Sequence, residues 1–356
     1  MKIVADPNIP YVREAFAALG DITLIPGRQI TAASVQAADV LLVRSITLVN
    51  AALLDGSRVK FIATATIGTD HVEERYLIQR GIGFASAAGS NANSVAEYIV
   101  AALLELGDRH KFRLRDKTLG VIGVGNVGTK VVRYARALGM RVLENDPPRG
   151  LHEPALTADI VTVHVPLLET TRHLLHHDNL ERFILLNTAR GPVVDNRALL
   201  KAIDGDRIPA AVLDVWESEP NLSPELLDVV DIGTPHIAGY SFDGKVAGTR
   251  MIYEAACRHF NMPATWQPQL PAPAVPVIEM SVSSGDDEED VLRRVIKRVY
   301  NITADDARLR ANVPDFDKQR AEYPVRREFF NTMLTLRGAS ASLREKFAAL
   351  GFQLSA

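Results

Sequence analysis

The stretch VIGVGNVG, residues 121–128, sets Gly123, Gly125 and Gly128 in G-x-G-x-x-G spacing. It ends the apolar run LGVIGV and opens NVGTKVVRYARALG, whose apolar residues recur at helical spacing. A strand that turns through glycines into a helix leaves free backbone N–H groups where an anion is favoured. Asn126 and Val127 occupy the start of that helix. Asp146 closes the next apolar run, RVLEND, about 20 residues on, where a carboxylate accepts hydrogen bonds from a ribose diol and repels a 2′-phosphate. Strand, glycines, helix and acid agree on NAD rather than NADP. Each alone would suit a ligand-free turn.

Outward from this stretch, short β-branched runs alternate with helical patterns: KIVAD, DVLLVRS, KFIATAT and GIGFASA before it, and DIVTVHV, FILLNTA, PAAVLDVW and DIGTPH after it. The rhythm predicts an α/β chain with parallel sheets covered on both faces. NSVAEYIVAALLELGDR, from Asn93, and the segment from Phe242 to Phe260 read as long helices. NMPATWQPQLPAPAVPVIEM carries five prolines and suits an extended linker. Beyond it come an acidic-capped helix within GDDEEDVLRRVIKRVYNI, the charged FDKQRAEYPVRREFF, and a last helix in SASLREKFAALGF. The division expected is a first module at 1–92, completed by about 241–262; 93–240 for the dinucleotide; a linker at 263–276; and a C-terminal module at 277–356.

Composition narrows the class. The 356 residues are 47% hydrophobic and 23% charged with a net charge of −3, so neither nucleic acid nor an anionic membrane is an expected partner. The first apolar run breaks at Asp6, and no run approaches a membrane span. One cysteine, Cys257, leaves no intrachain disulfide and fits a reducing compartment. A soluble, cytoplasmic protein is the expectation.

Three stretches fall at the carboxyl ends of expected strands, where open α/β sheets bind ligands. NTARGPVVD supplies Arg190, LDVWESEP supplies Asp214 and Glu219, and TPHIAGYS supplies His236. Moving a hydride from a hydroxyl-bearing carbon also requires taking the hydroxyl proton. Histidine suits that task near neutrality, and a guanidinium can hold a carboxylate bidentately. Each residue also has a plain reading as packed histidine, surface ion pair or loop charge. His164, His173, His176 and His177 lack zinc-ligand spacing, so no metal is expected; His176 and His177 read as a solvated helix start.

In this order, G-x-G-x-x-G, Asp146, NTARG, DVWESEP and PHIAG, residues 1 to about 260 resemble the D-2-hydroxyacid dehydrogenase family. The resemblance implies a Rossmann-type NAD domain inserted in a flavodoxin-like substrate domain. It implies Arg190 as carboxylate anchor, Glu219 as partner of the histidine, and His236 as acid/base. It also implies Asp214 at the nicotinamide amide, with Thr188, Ala189 and Gly239 beside the cofactor. VRSIT, ATATIGTDH, PHIAGYS and YPVRREFF are similar to one branch that oxidises a small phosphorylated 2-hydroxy acid of four carbons. That likeness implies Ser45, Thr66 and Tyr240 as substrate contacts and a small C-terminal α/β domain that forms a homodimer. Oxidation of 3-phosphoglycerate and an NADH-sensing binding protein on the same fold are the alternatives. Two segments look short for their tasks: 147–159, which must carry a parallel crossover without a convincing helix, and 178–184, which lacks a turn before a buried strand.

Overall fold

The computed structural model describes residues 1–355, which form two compact units. The first comprises Met1–Asn91 and Phe242–Pro271; the second comprises Ala92–Ser241 and Ala272 onward.

In the first unit, β1 (Lys2–Ala5), β2 (Asp21–Leu24), β3 (Val40–Val43), β4 (Phe61–Thr64) and β5 (Gly83–Ser86) make an all-parallel sheet in the order β2-β1-β3-β4-β5. This is the flavodoxin-like order. Helix Phe242–His259 closes one face, with Ile252, Tyr253, Ala256 and Cys257 packed among Ile3, Ala5, Leu42, Phe61 and Ala63. Val4, Leu41, Val43 and Ile62 turn to the opposite face with Val35, Leu54 and Leu77. Cover on both faces explains why β3 and β4 read as unbroken apolar runs.

In the second unit, β6 (Thr118–Ile122), β7 (Arg141–Asp146), β8 (Leu151–His152), β9 (Ile160–Val163), β10 (Ile184–Asn187), β11 (Ala211–Leu213) and β12 (Ile232–Gly233) follow the order β12-β11-β10-β9-β6-β7-β8. All pairings are parallel except β7–β8. The order reverses between β6 and β9, and ligands bind at such a switch point.

The short crossover from β7 to β9 works because Gly150, at φ 75, turns the chain into β8, and a 3-10 turn at Ala155–Thr157 then lies directly on the sheet. A Cβ at Gly120 of β6 would stand 2.1 Å from Ala155 O. The missing side chain therefore takes the place of a helix layer. The turn before β10 is made by Arg182 at φ 69, whose N–H donates to Arg207 O at 2.6 Å. His176 and His177 lie in a turn rather than a helix start; Asn179 Oδ1 accepts the His176 N–H at 2.8 Å.

Residues 263–276 carry no helix or strand. The C-terminal segment then builds β13 (Val277–Ser281), β14 (Met333–Arg337) and β15 (Gln353–Leu354), a parallel sheet in that order. It shares its core with the dinucleotide module. Val291, Leu292, Val295 and Ile296 of helix Glu288–Val299, with Leu334 and Phe347, join one apolar cluster with Tyr98, Val121 and Tyr134. No helix among the described residues is long and apolar enough to cross a membrane.

Candidate active site

After β12 the chain turns sharply. The Thr234 N–H donates to Leu213 O at 2.9 Å and the His236 N–H to Asp214 O at 2.7 Å. His236 sits at φ 57, a left-handed conformation that costs an L-residue about 1–2 kcal/mol. Asp214, buried just past β11, holds both flanks of it. Its Oδ1 accepts from Thr234 Oγ1 (2.6 Å) and the Ile237 N–H (2.8 Å), and its Oδ2 from the Ala238 N–H (2.9 Å). Burial raises the Asp214 carboxyl above its ordinary value, against the opposing charge of His236 and these hydrogen bonds. With the Thr234 hydroxyl hydrogen committed to Asp214, Tyr98 donates its own to Thr234 Oγ1 at 2.7 Å. The chain Tyr98–Thr234–Asp214 runs from the long helix Ala92–His110 to the histidine loop.

The His236 imidazole is directed by Glu219, whose Oε2 lies 2.8 Å from Nδ1. Glu219 Oε1 accepts the Trp216 N–H at 2.9 Å. Burial alone would raise the Glu219 carboxyl, but the hydrogen bond and charge of His236, the Trp216 N–H and the charge of Arg320 hold it below its ordinary value. A carboxylate at Nδ1 fixes the proton there and leaves Nε2 as an acceptor.

Arg190 follows β10. Asn187, the last residue of that strand, stiffens the loop through Oδ1, which accepts the Ala189 N–H (3.0 Å), and Nδ2, which donates to Arg190 O (3.1 Å). Arg190 Nη1 donates to Ala189 O at 2.8 Å. A Cβ at Gly191 would stand 1.9 Å from Trp216 O, so the Arg190 and Glu219 loops touch backbone to backbone. Trp216 Nε1 donates to Thr234 O at 3.0 Å and joins the third loop. Arg190, Glu219 and His236 thus stand on three cross-braced loops after neighbouring strands.

The glycine loop has the geometry of a phosphate cradle. Gly123, at φ 89, lies against the backbone of His164, and a Cβ at Gly128 would come within 2.0 Å of Gly123 O. A Cβ at Gly125 would meet nothing within 4 Å, so protein packing does not demand that glycine, and the open space admits the close approach of a pyrophosphate. Helix Asn126–Ala137 starts there with no side-chain cap, leaving its first N–H groups for an anion. Asn126 is exposed and Val127 half-buried. Asp146 Oδ2 accepts the Val124 N–H at 2.8 Å, with Arg149 Nε at 3.4 Å. Thr188 Oγ1 lies 3.4 Å from His164 Nδ1, and burial pushes the His164 imidazole down to about 3, so it is neutral. The donor set fits a dinucleotide. Among the described residues, no group of three or more His, Cys, Asp or Glu is placed to hold a metal ion.

Gly239 and Tyr240 continue the histidine loop, both half-buried. Ser45 and Thr66 belong to the first unit, each just past the end of neighbouring strands β3 and β4. Thr66 Oγ1 is 2.7 Å from Thr64 Oγ1, which lies 3.0 Å from His71 Nε2.

Sequence reasoning passed over the tail's part in this centre. Arg326, Arg327 and Glu328, read as a charged stretch, are buried. Arg326 Nη2 donates to Ser94 Oγ and to Ala238 O (2.7 Å), and its guanidinium lies 4.2 Å from the centroid of the Tyr300 ring. Glu328 Oε1 accepts from Ser241 Oγ at 2.7 Å and Oε2 from Asn93 Nδ2 at 2.8 Å. Local sequence carries no signal for this. Thr234, Trp216 and Gly191 lie inside the quoted motifs and could have been singled out.

Comparison with known proteins identifies the family. Residues 99–238 match the family model of the D-isomer specific 2-hydroxyacid dehydrogenase NAD binding domain, and residues 270–351 match a model described as a domain of unknown function. The erythronate-4-phosphate dehydrogenase of Klebsiella pneumoniae is 44% identical over 96% of each chain. That of Marinobacter nauticus is 41% identical over 99% of this chain and 100% of its own. Among solved structures, the D-lactate dehydrogenase of Aquifex aeolicus complexed with NAD and lactic acid is 24% identical, with a TM-score of 0.60, over 73% of this chain and 96% of its own. The NAD-bound 3-phosphoglycerate dehydrogenase of Entamoeba histolytica is 22% identical, with a TM-score of 0.63, over 73% and 95%.

Proposed function

The chain belongs to the erythronate-4-phosphate dehydrogenases of the D-isomer-specific 2-hydroxyacid dehydrogenase family, and on that premise we propose that it oxidises 4-phospho-D-erythronate at C2. The product is 2-oxo-3-hydroxy-4-phosphobutanoate, in a step of vitamin B6 synthesis. The observation that carries the reading is the His236–Glu219 pair, which leaves Nε2 as an acceptor on a braced loop with the His236 side chain 30% exposed.

The 123–128 loop would hold the NAD pyrophosphate and Asp146 its ribose, and NAD so bound would supply the hydride acceptor. Arg190 binds the substrate carboxylate and sets C2 in place. His236 Nε2 takes the proton of the C2 hydroxyl as the C2–H bond gives up its hydride and the carbonyl forms. Glu219, kept ionised by its surroundings, stabilises the imidazolium so produced. Asp214 has a second duty besides the nicotinamide amide: it fixes the loop on both sides of His236. Thr188, Ala189 and Gly239 line the cofactor, and Tyr240, Ser45 and Thr66 are further substrate contacts.

A homodimer through residues 277–356 completes the reading. Its support is a sheet that buries Ile278, Leu334 and Leu336 on one face while Val277, Glu279 and Ser281 stay exposed. The cytoplasm is its proposed location, which the single buried cysteine suits.

His236→Ala tests the chemistry. Turnover should fall by about 10²–10⁴-fold while NAD affinity is retained. Unchanged turnover would remove the histidine from the mechanism.

A further inference from the structure

The substrate proposed above has an anion at each end, and Arg190 answers only the carboxylate. A second guanidinium of the same unit lies close by. Arg320, on the short helix Phe316–Ala321, places its Cζ 5.7 Å from the centroid of the Tyr240 ring. Tyr323 meets the same ring edge-on at 6.0 Å. Tyr240 is on the His236 loop, with its N–H donated to Ile237 O at 2.8 Å. The tail therefore lays a cation and an aromatic ring against a residue four positions from the acid/base.

Arg320 is poorly satisfied by its own chain. Its side chain is 24% exposed, and the nearest carboxylate oxygen, Asp317 Oδ1, stands 3.6 Å from Nη1, beyond hydrogen-bond reach. Its buried Nε has no hydrogen-bond partner among the described residues. Burying a charged donor without an acceptor is unfavourable unless a ligand supplies one. Arg320 Cζ also stands 5.8 Å from the centroid of the Phe316 ring, so two aromatic rings position the guanidinium, whose fork suits bidentate contact with phosphate oxygens. The charge of Arg320 also reaches Glu219, so the cation belongs to the electrostatic surroundings of the catalytic pair.

The tail is also what separates this branch from other users of the fold. The lactate and phosphoglycerate enzymes cover 73% of this chain, whereas the Klebsiella and Marinobacter erythronate-4-phosphate dehydrogenases cover 96% and 99% of it. We propose that Arg320 recognises the phosphate of the substrate and is a specificity-determining residue contributed by the tail. The proposal rests on the substrate reading of the preceding subsection.

The test is steady-state kinetics of wild type, Arg320→Gln and Arg320→Lys with 4-phospho-D-erythronate and unphosphorylated D-erythronate, with inorganic phosphate as competing inhibitor. Arg320→Gln should raise KM for the phosphorylated acid about 10- to 100-fold, the range for a charged hydrogen-bond contact. Its inhibition constant for phosphate should rise in step, and the loss of kcat/KM should be about tenfold greater for the phosphorylated acid than for D-erythronate, which loses only the weaker effect of the Arg320 charge on Glu219. Arg320→Lys, the milder variant should glutamine disturb folding, should recover part of the affinity. Equal losses on both acids, or undiminished inhibition by phosphate, would overturn the assignment. A wild type inert toward 4-phospho-D-erythronate would instead overturn the substrate reading, and this inference with it.

Discussion

Replacing Gly191 by alanine tests how the three catalytic loops are held. The new Cβ would lie 1.9 Å from Trp216 O, 2.0 Å from Trp216 C and 2.6 Å from Glu217 N. All three are backbone atoms, so no side chain can swing aside. Restoring van der Waals contact requires the loops to part by about 1.5 Å. Arg190 lies on one side of that contact and Glu219, with His236 behind it, on the other. A misplacement of about 1 Å between substrate anchor and proton acceptor costs on the order of 10²-fold in rate, and overpacking costs about 1–3 kcal/mol of stability. Gly191→Ala should therefore lower kcat/KM about 100-fold and depress Tm, with a smaller loss of NAD affinity because Thr188 and Ala189 lie on the displaced loop. Gly125→Ala is the reciprocal control. Its Cβ meets nothing within 4 Å, so the fold should persist while NAD affinity falls. Spectrophotometric NADH formation, thermal melts and fluorescence titration with NAD read the three quantities. A Gly191→Ala protein with kcat/KM within about threefold of wild type would refute the bracing argument.

Two further perturbations probe the histidine loop. The Glu219 carboxyl sits below its ordinary value, so its contribution to stability is present above that ordinary value and lost as pH falls through the lowered one; the Tm gap between wild type and Glu219→Gln should be widest near neutrality and close on acidification, and a gap independent of pH would contradict this. Asp214→Asn must turn an amide N–H₂ toward Thr234 and Ile237 or toward Ala238, all of which donate. That should cost about 1–3 kcal/mol of stability and lower kcat, whereas Tyr98→Phe, one hydrogen bond further out, should cost about 1 kcal/mol; denaturant melts separate the two.

The five-stranded sheet and the parallel strands of the seven-stranded sheet were legible because strands buried on two faces must be apolar throughout, and the glycine loop because a close backbone approach leaves glycine little substitute. The pairing of His236 with Glu219 was legible only through motif order, since nothing local says that two loops after adjacent strands will meet. Other features depended on packing that no periodicity reports. Gly120 reads as an ordinary strand glycine until Ala155 O is found 2.1 Å from where its Cβ would be, and only then is the brevity of 147–159 explained. Arg182 takes a left-handed turn that sequence rules assign to glycine or asparagine. Arg326, Arg327 and Glu328 resemble any solvated charge run, yet the partners of Arg326 and Glu328 (Ser94, Ala238, Ser241 and Asn93) lie far away in the chain. Charge patterning reports local solvation and cannot show that a distant segment supplies the acceptors.

The central claim is that this His–Glu–Arg arrangement oxidises a four-carbon acid phosphate with NAD. Its most direct test is hydride transfer by the purified protein with 4-phospho-D-erythronate, set beside 3-phospho-D-glycerate and with a 2-oxo acid present to accept hydride if NADH stays bound. The account predicts turnover with the four-carbon acid and a strong preference for it. Preference for phosphoglycerate would keep the catalytic residues and contradict the substrate. Binding of NAD without turnover of either acid would contradict the enzyme itself.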